Sequence, residues 1–181
     1  MLCLTKQSKT IYIYIYIDKY RIVDRDHLLH KWKVFIAKAY GCGAIGEVIS
    51  TPVLSTPVLS TPETICSKTF LQIGDFENFD KLEALNLIKY LETRFLRCLV
   101  GIKKRTQDVS KDKFEYVPLQ DFSNNSDIDW SKSIDEIDEQ LFKKYQLSQE
   151  DIDFIKANIT KQPLNFETIP ASLKNELTKN N

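Results

Sequence analysis

The sequence lacks the short motifs that identify the common hydrolases and nucleases. It contains no Gly-x-Ser-x-Gly, which excludes the nucleophile elbow of α/β-hydrolases. It also contains no Pro-Asp pair and no (Asp/Glu)-x-Lys spacing, so the acidic centre that many Mg²⁺-dependent nucleases build around a lysine is missing. An acidic group lies between Asp127 and Glu139, but it is most simply a solvated helix face. The chain is therefore not expected to be a catalyst by itself.

Clustered cysteine and histidine residues are also absent. No Cys-x-x-Cys pair occurs, and the two histidines lie far from most of the cysteines. Zinc sites need clustered nitrogen and sulfur ligands, so we predict no metal site. Single, widely spaced cysteines without a secretory signal are typical of a reducing compartment, which predicts a cytoplasmic protein. The isolated residues are Cys3, Cys42, Cys66, Cys98, His27 and His30.

The chain has little that could enter a membrane. Its N-terminal apolar run, Ile11–Ile17, alternates isoleucine and tyrosine over seven residues, whereas a membrane-spanning helix needs about 20. The alternation of two β-favouring residue types predicts a strand instead. Both faces of such a strand are bulky, so it needs cover or it tends to associate edge to edge. We predict a protein without a membrane partner.

Charge is balanced overall but unevenly distributed. The 181 residues carry 25 basic and 25 acidic side chains. Residues 1–49 and 81–113 are basic, with net charges of +4 and +5, whereas residues 115–155 have a net charge of −8. A phosphate-binding surface needs local positive charge rather than a high overall pI, so the basic segments could provide one. The alternative is that solvated helix faces happen to segregate by charge.

The pattern of apolar residues predicts an α+β fold, in which a small, mainly antiparallel sheet packs on one long amphipathic helix and a helical hairpin follows. Strands are expected at Trp32–Ala37, Thr69–Gly74 and Phe114–Leu119, in addition to Ile11–Ile17. Between the first two, STPVL occurs twice in succession and is followed by STP. A proline at every fifth residue excludes helix and central strand, so residues 50–62 are predicted to form an extended loop.

One helix is expected from about residue 80 to residue 104, because Asp80 and Glu83 form a capping box. Apolar residues recur along it at spacings of three and four, and they predict a single buried stripe. The residues of that stripe are Leu85, Ile88, Leu91, Phe95, Leu99 and Ile102. The opposite, polar face is predicted to contain Asn86, Tyr90, Thr93, Arg94, Arg97 and Lys104.

Two further helices are predicted near 134–145 and 149–159, with capping residues Ser133 and Ser148. Their inward residues should be Leu141, Phe142, Leu147, Ile152 and Ile155. We thus divide the chain into an N-terminal arm (1–17), an α+β domain (18–123), an acidic helical tail (124–160) and a flexible C-terminus (161–181).

Basic residues at the end of the long helix are the best candidates for a binding site. Lysine and arginine bind phosphates, and arginine and glutamine can also pair with base edges. The alternative is that cations at a helix C-terminus only complement the helix dipole. The candidate DNA-binding residues are Lys31, Lys33, Lys38, Arg94, Arg97, Lys103, Lys104, Arg105 and Gln107.

The order of several segments resembles a known family. These segments are KWKVFIAKAYG, CSKTFLQIG, LRCLVGIKKRTQ, YVPLQDFS and the tail LFKKYQLSQEDIDFIKANI. In this order they resemble the C-terminal specificity region of adenine-N6 DNA methyltransferases and bifunctional restriction endonucleases from type II restriction–modification systems. The resemblance covers roughly residues 15–159. It implies that Lys103–Gln107 and the Gly41–Gly46 loop face DNA.

The catalytic parts of that family are missing from the sequence. Neither the Gly-rich turn for S-adenosylmethionine nor the Asn/Asp-Pro-Pro-aromatic tetrapeptide is present, and GCG at 41–43 is only a loop. The resemblance therefore implies a non-catalytic target-recognition fragment that binds double-stranded DNA, with a separate methyltransferase or nuclease subunit as a further partner. No cofactor is expected in this chain, since S-adenosylmethionine and Mg²⁺ would belong to the missing parts. The alternative is a remnant of a disrupted gene without DNA affinity.

Overall fold

The structure is a computed structural model. It describes residues 2–6, 12–16, 18, 20, 22, 24, 27–39, 55–77, 79–106 and 108–160. These residues form two three-stranded sheets and four α-helices, which confirms the predicted α+β class. The first STPVL copy, the Gly41–Gly46 loop and the segment 161–181 lie outside the described residues.

One sheet has β3 (Lys33–Ala37) at its centre, between β4 (Val58–Ser60) and β6 (Phe70–Ile73), and both pairings are antiparallel. All five residues of β3 are buried. Val34 and Ile36 belong to the main core, whereas Phe35 and Ala37 pack in a smaller cluster. The sheet is thus covered on both faces, and the predicted strands near 32–37 and 69–74 are confirmed.

The proline-rich loop prediction is wrong in its last part. The second STPVL copy runs directly into β4, which pairs with β3 at the edge of the sheet. Pro57 precedes the strand and so removes no ladder hydrogen bond from it. Ser55 fixes the approach, since its hydroxyl accepts a hydrogen bond from the backbone N–H of Ala37 at 2.7 Å. Proline therefore excluded a central strand here but not an edge strand.

A second sheet has the order β2–β1–β5, formed by β1 (Leu2–Lys6), β2 (Tyr12–Tyr16) and β5 (Thr64–Cys66). The strand predicted in the Ile-Tyr repeat is confirmed, and it pairs antiparallel with β1. Within the N-terminal arm, β1 was not predicted, and it also pairs in parallel with β5. β5 itself was not predicted, since three residues are too short to show a periodicity.

The long helix is two helices, α1 (Lys81–Glu92) and α2 (Arg94–Lys103). The predicted capping box of Asp80 and Glu83 is confirmed. Thr93 interrupts the helix with φ −61° and ψ 146°, and its side chain caps α2 by accepting the N–H of Leu96 at 3.2 Å. A threonine can compete for backbone hydrogen bonds in this way and so begin a new helix.

The predicted polar face of the 80–104 segment is also wrong. Helices α1 and α2 are packed on more than one side, because β3 and the first tail helix both contact α1 and both tail helices contact α2. Ile102, predicted in the buried stripe, is exposed. The residues predicted to be solvated but found buried are Asn86, Tyr90, Thr93 and Arg97.

The strand predicted at Phe114–Leu119 is wrong. The chain forms a 3₁₀-helix at Lys111–Phe114 and then a turn, in which the N–H of Val117 donates to the carbonyl of Phe114 at 2.9 Å. Pro118 follows directly and cannot donate to a ladder.

The tail helices are confirmed as α3 (Ile134–Lys144) and α4 (Gln149–Asn158), each with the predicted cap. Leu141, Phe142 and Ile155 are buried, and Leu147 and Ile152 pack against the same core. This core also contains residues of β3, α1 and α2, so residues 124–160 share one apolar cluster with the preceding segment. Among the described residues, no helix is both long and apolar enough to cross a membrane.

Candidate nucleic-acid interface

The end of β3 and the exit of α2 meet in one place. An isolated antiparallel bridge joins Ala39 to Asp108, and the N–H of Val109 donates to the carbonyl of Lys38 at 2.7 Å. The N–H of Lys38 in turn donates to the carbonyl of Thr69 at 2.8 Å, at the start of β6. Backbone contacts at 38–39, 69 and 108–109 therefore join three distant segments, 38–39, 67–69 and 104–109.

Cationic residues are concentrated in these segments. We call the set Lys38, Lys68, Lys104 and Arg105 the convergence surface. Lys68 and Arg105 are exposed, and Lys38 and Lys104 are partly exposed. Within the described residues of the three segments, Asp108 is the one carboxylate. The local charge is therefore positive, although the chain is neutral overall.

Lys68 was missing from the sequence-predicted site. Its position could have been inferred, because antiparallel pairing of β3 with β6 places the end of one strand beside the start of the other. The sequence had predicted both strands, at 32–37 and 69–74. What the sequence lacked was their pairing and direction.

Lys104 occupies the C-cap of α2, and its N–H donates to the carbonyls of Val100 and Gly101. The favourable interaction of a cation with this helix end is about 0.3–1 kcal/mol. Arg105 is one residue further and exposed. The alternative that a cation only complements the helix dipole therefore applies to Lys104 more directly than to Arg105.

Lys103 turns toward the 3₁₀-helix segment. Its ammonium forms an ion pair with Glu115 and lies 4.6 Å from the ring centroid of Tyr116. The hydrogen bond with the Glu115 carboxylate raises the pKa of Lys103. Lys31 is similarly paired, with its Nζ 3.3 Å from a carboxylate oxygen of Asp75. Both lysines would have to exchange a carboxylate for a phosphate to bind DNA.

Lys33 was predicted to bind DNA, but its side chain does not reach the surface. It is 1 % exposed, and its ammonium donates to the carbonyls of Leu28 and Lys31, both at 2.9 Å. Burial lowers the pKa of Lys33 to about 8. These carbonyls replace the water that a buried ammonium loses, so Lys33 ties the 28–31 turn to the sheet.

Arg97 is a second correction, since it is fully buried and donates to the carbonyl of Thr160 at 2.6 Å. It also interacts with Glu92, although burial still raises the pKa of that carboxyl to about 7. Arg94 is half-buried, and its backbone N–H donates to Asp138 of α3 at 3.0 Å. These positions lie in the interface between α2 and the tail rather than at the α2 exit.

Gln107 lies outside the described residues, although both of its neighbours belong to the converging segments. The Gly41–Gly46 loop is likewise not described, but Ala39, two residues before it, forms the bridge to Asp108. The described residues that flank these two regions, which the resemblance assigns to DNA, are therefore adjacent in the structure.

Comparison of the chain with protein-family models, curated proteins and solved structures gave no match.

Proposed function

We propose that this chain is a DNA target-recognition fragment of a type II restriction–modification enzyme, and that it is non-catalytic by itself. The observation that carries the proposal is the Ala39–Asp108 bridge, with its 2.7 Å hydrogen bond from Val109 to Lys38. It holds together two basic regions that are more than 60 residues apart in sequence. The resemblance in segment order gives the proposal its specific family.

A phosphate backbone is the partner that this charge distribution fits. The described residues of the three converging segments include four cations and one carboxylate, whereas residues 115–155 have a net charge of −8. Phosphate contacts position a protein on duplex DNA, and bases are then recognised by side chains that reach the grooves. Arg105 and Gln107 have side chains that can make bidentate base contacts.

Under this proposal, catalysis belongs to a separate methyltransferase or nuclease subunit. S-adenosylmethionine and Mg²⁺ would bind to that subunit, and this chain would supply the choice of sequence. Such a complex would work in the cytoplasm, where the single cysteines stay reduced.

The proposal is tested by fluorescence anisotropy with a labelled duplex of mixed sequence between 50 and 200 mM salt. Each phosphate contact contributes about −0.9 to the slope of log K against log salt. The double variant Lys104→Gln/Arg105→Gln should therefore flatten the slope by about 1.8 if both side chains contact phosphate. Lys132→Gln/Lys143→Gln removes the same charge from two exposed tail positions and should leave the slope unchanged.

A remnant without DNA affinity is the alternative, and the same titration distinguishes it. No binding at 50 mM salt would support the remnant. Equal losses in the two double variants would show a nonspecific response to net charge, and would contradict the convergence surface.

A further inference from the structure

A cavity of about 310 Å³ lies between β6, α1 and the chain that follows the 3₁₀-helix. Buried leucines of α1 and α2 form its floor: Leu87, Leu91 and Leu96. Phenylalanine and other apolar side chains form the walls. These are Leu71, Ile73, Phe76, Phe114, Val117 and Phe122.

The uncharged polar side chains of the lining are those of Gln72 and Tyr90, and the hydroxyl of Tyr90 already has partners. The hydroxyl of Tyr90 donates to the carbonyl of Pro118 at 2.8 Å and accepts from the amide of Gln120 at 3.4 Å. The interior therefore presents mainly hydrocarbon to a ligand, which favours an apolar ligand body.

The rim has two charged residues, Asp75 and Lys111. Asp75 is paired with Lys31 at 3.3 Å, as described above. Lys111 is exposed, and the neighbouring Asp112 is taken up by Lys113 and Ser110. Among the described residues, no carboxylate forms an ion pair with Lys111. The rim thus offers a cation to a ligand while its carboxylate is neutralised.

We propose that this cavity binds a small amphipathic carboxylate, with its hydrocarbon part against the leucines and phenylalanines and its carboxylate at Lys111. The volume is at the lower end of the roughly 300–1,000 Å³ typical of ligand pockets, which favours a medium-length acyl chain over a larger molecule. The cation at the rim selects an anionic head group. This proposal does not depend on the DNA-binding proposal.

The test is isothermal titration of the full chain with hexanoate, octanoate and decanoate, with octan-1-ol as the uncharged probe. Burial of one methylene is equivalent to about a fourfold change in affinity, so affinity should rise about 16-fold from hexanoate to octanoate. Lys111→Gln should weaken octanoate severalfold and leave octan-1-ol unchanged. Lys132→Gln, which removes an exposed lysine of the tail, is the matched control.

Val117→Trp tests the cavity itself, since an indole in place of this half-buried wall residue should occupy the space. Octanoate and octan-1-ol should then both fail to bind while the melting temperature stays near that of the wild type. If that variant does not fold, methyl NMR shifts of Leu87 and Leu91 in the wild type should move on adding octanoate. The proposal is overturned if affinity does not depend on chain length, if Lys111→Gln changes nothing, or if these methyl groups do not respond.

Discussion

The substitution Asp138→Asn tests how the tail packs against α1 and α2. Its carboxylate is 2 % exposed and accepts the backbone N–H groups of Arg94 at 3.0 Å and Phe95 at 2.9 Å. A residue of α3 thus satisfies the N-terminus of α2, a function that usually falls to a local cap. Burial nevertheless outweighs these donors and raises the pKa of Asp138 to about 6.

The sign of the pH effect follows from that direction. In an unfolded chain, the pKa of an aspartate is about 3.9. Between pH 4 and 6 the folded state therefore binds more protons than the unfolded state, and the free energy of unfolding falls as pH rises. Integrated from pH 4 to 7.5, the loss from this one group is about 2 kcal/mol. An asparagine does not titrate, so Asp138→Asn escapes this loss.

The assay is urea denaturation of the wild type and Asp138→Asn at pH 4, 5, 6 and 7.5. Asparagine keeps one acceptor for the two N–H groups, which gives a constant offset between the proteins at all pH values. On top of that offset, the wild type should lose about 2 kcal/mol relative to the variant across the range. Both proteins contain Glu92, so its titration cancels in the difference.

Asp153→Asn controls for the removal of a carboxylate, because Asp153 is exposed on α4. Two results would refute the reasoning. Parallel curves would mean that the pKa of Asp138 is not raised by folding. A wild type that gains stability with pH relative to the variant would mean that the two N–H donors outweigh burial.

Two further substitutions test local geometry by urea denaturation. Thr93→Ala removes the hydroxyl that accepts the N–H of Leu96, and should cost about 1 kcal/mol, whereas Thr93→Ser should restore most of the stability; equal losses in both variants would contradict the capping role. Gly74→Ala should cost about 2 kcal/mol or more, because Gly74 has φ +150° and a Cβ there would lie 2.8 Å from the carbonyl oxygen of Trp32 and 2.9 Å from the Cβ of Lys33. An unchanged midpoint for Gly74→Ala would contradict that close approach.

The elements that were predicted well have strong local signals. The capping pairs Ser133 with Glu136 and Ser148 with Asp151 lie at the starts of α3 and α4, as the sequence indicated. Such caps act within one turn of the chain and need no tertiary information. The same holds for the alternating residues of β2.

The wrong prediction of the polar face has a different cause, since it depended on tertiary contacts. The polar face of the 80–104 segment was inferred from a single helix packed on one side. In the structure, Asn86 donates to the carbonyl of Phe122 at 2.8 Å, and Tyr90 donates to Pro118. Both partners come from later in the chain, so helical periodicity could not show that these polar groups would be satisfied inside the core.

Lys33 and Lys38 show why the candidate site was only partly predictable. Both lysines flank the same apolar strand, and their neighbours in sequence predict the same phosphate-binding role. Lys33 is buried because it shares one covered face of β3 with Phe35 and Ala37. In addition, carbonyls of the turn at 28–31 accept hydrogen bonds from its ammonium. Lys38 follows the strand and stays partly exposed, and its backbone bonds to Thr69 and Val109. Strand alternation alone could not have separated the two, because both faces of β3 are covered and Lys38 differs by lying beyond the end of the strand.

Several of the predicted DNA-binding cations have other partners, and this changes which residues a DNA-binding surface of this chain could contain. Arg97 and Lys33 have internal structural roles, and Lys31 and Lys103 have carboxylate partners. Arg94 lies in the interface with the tail, and the cations of the convergence surface come from three segments that are joined by backbone hydrogen bonds rather than from one helix face. A surface built in this way has its charges positioned by the sheet, so its affinity for phosphate should depend on the β3–β6 pairing as well as on the charges themselves. A row of cations along a single helix would show no such dependence.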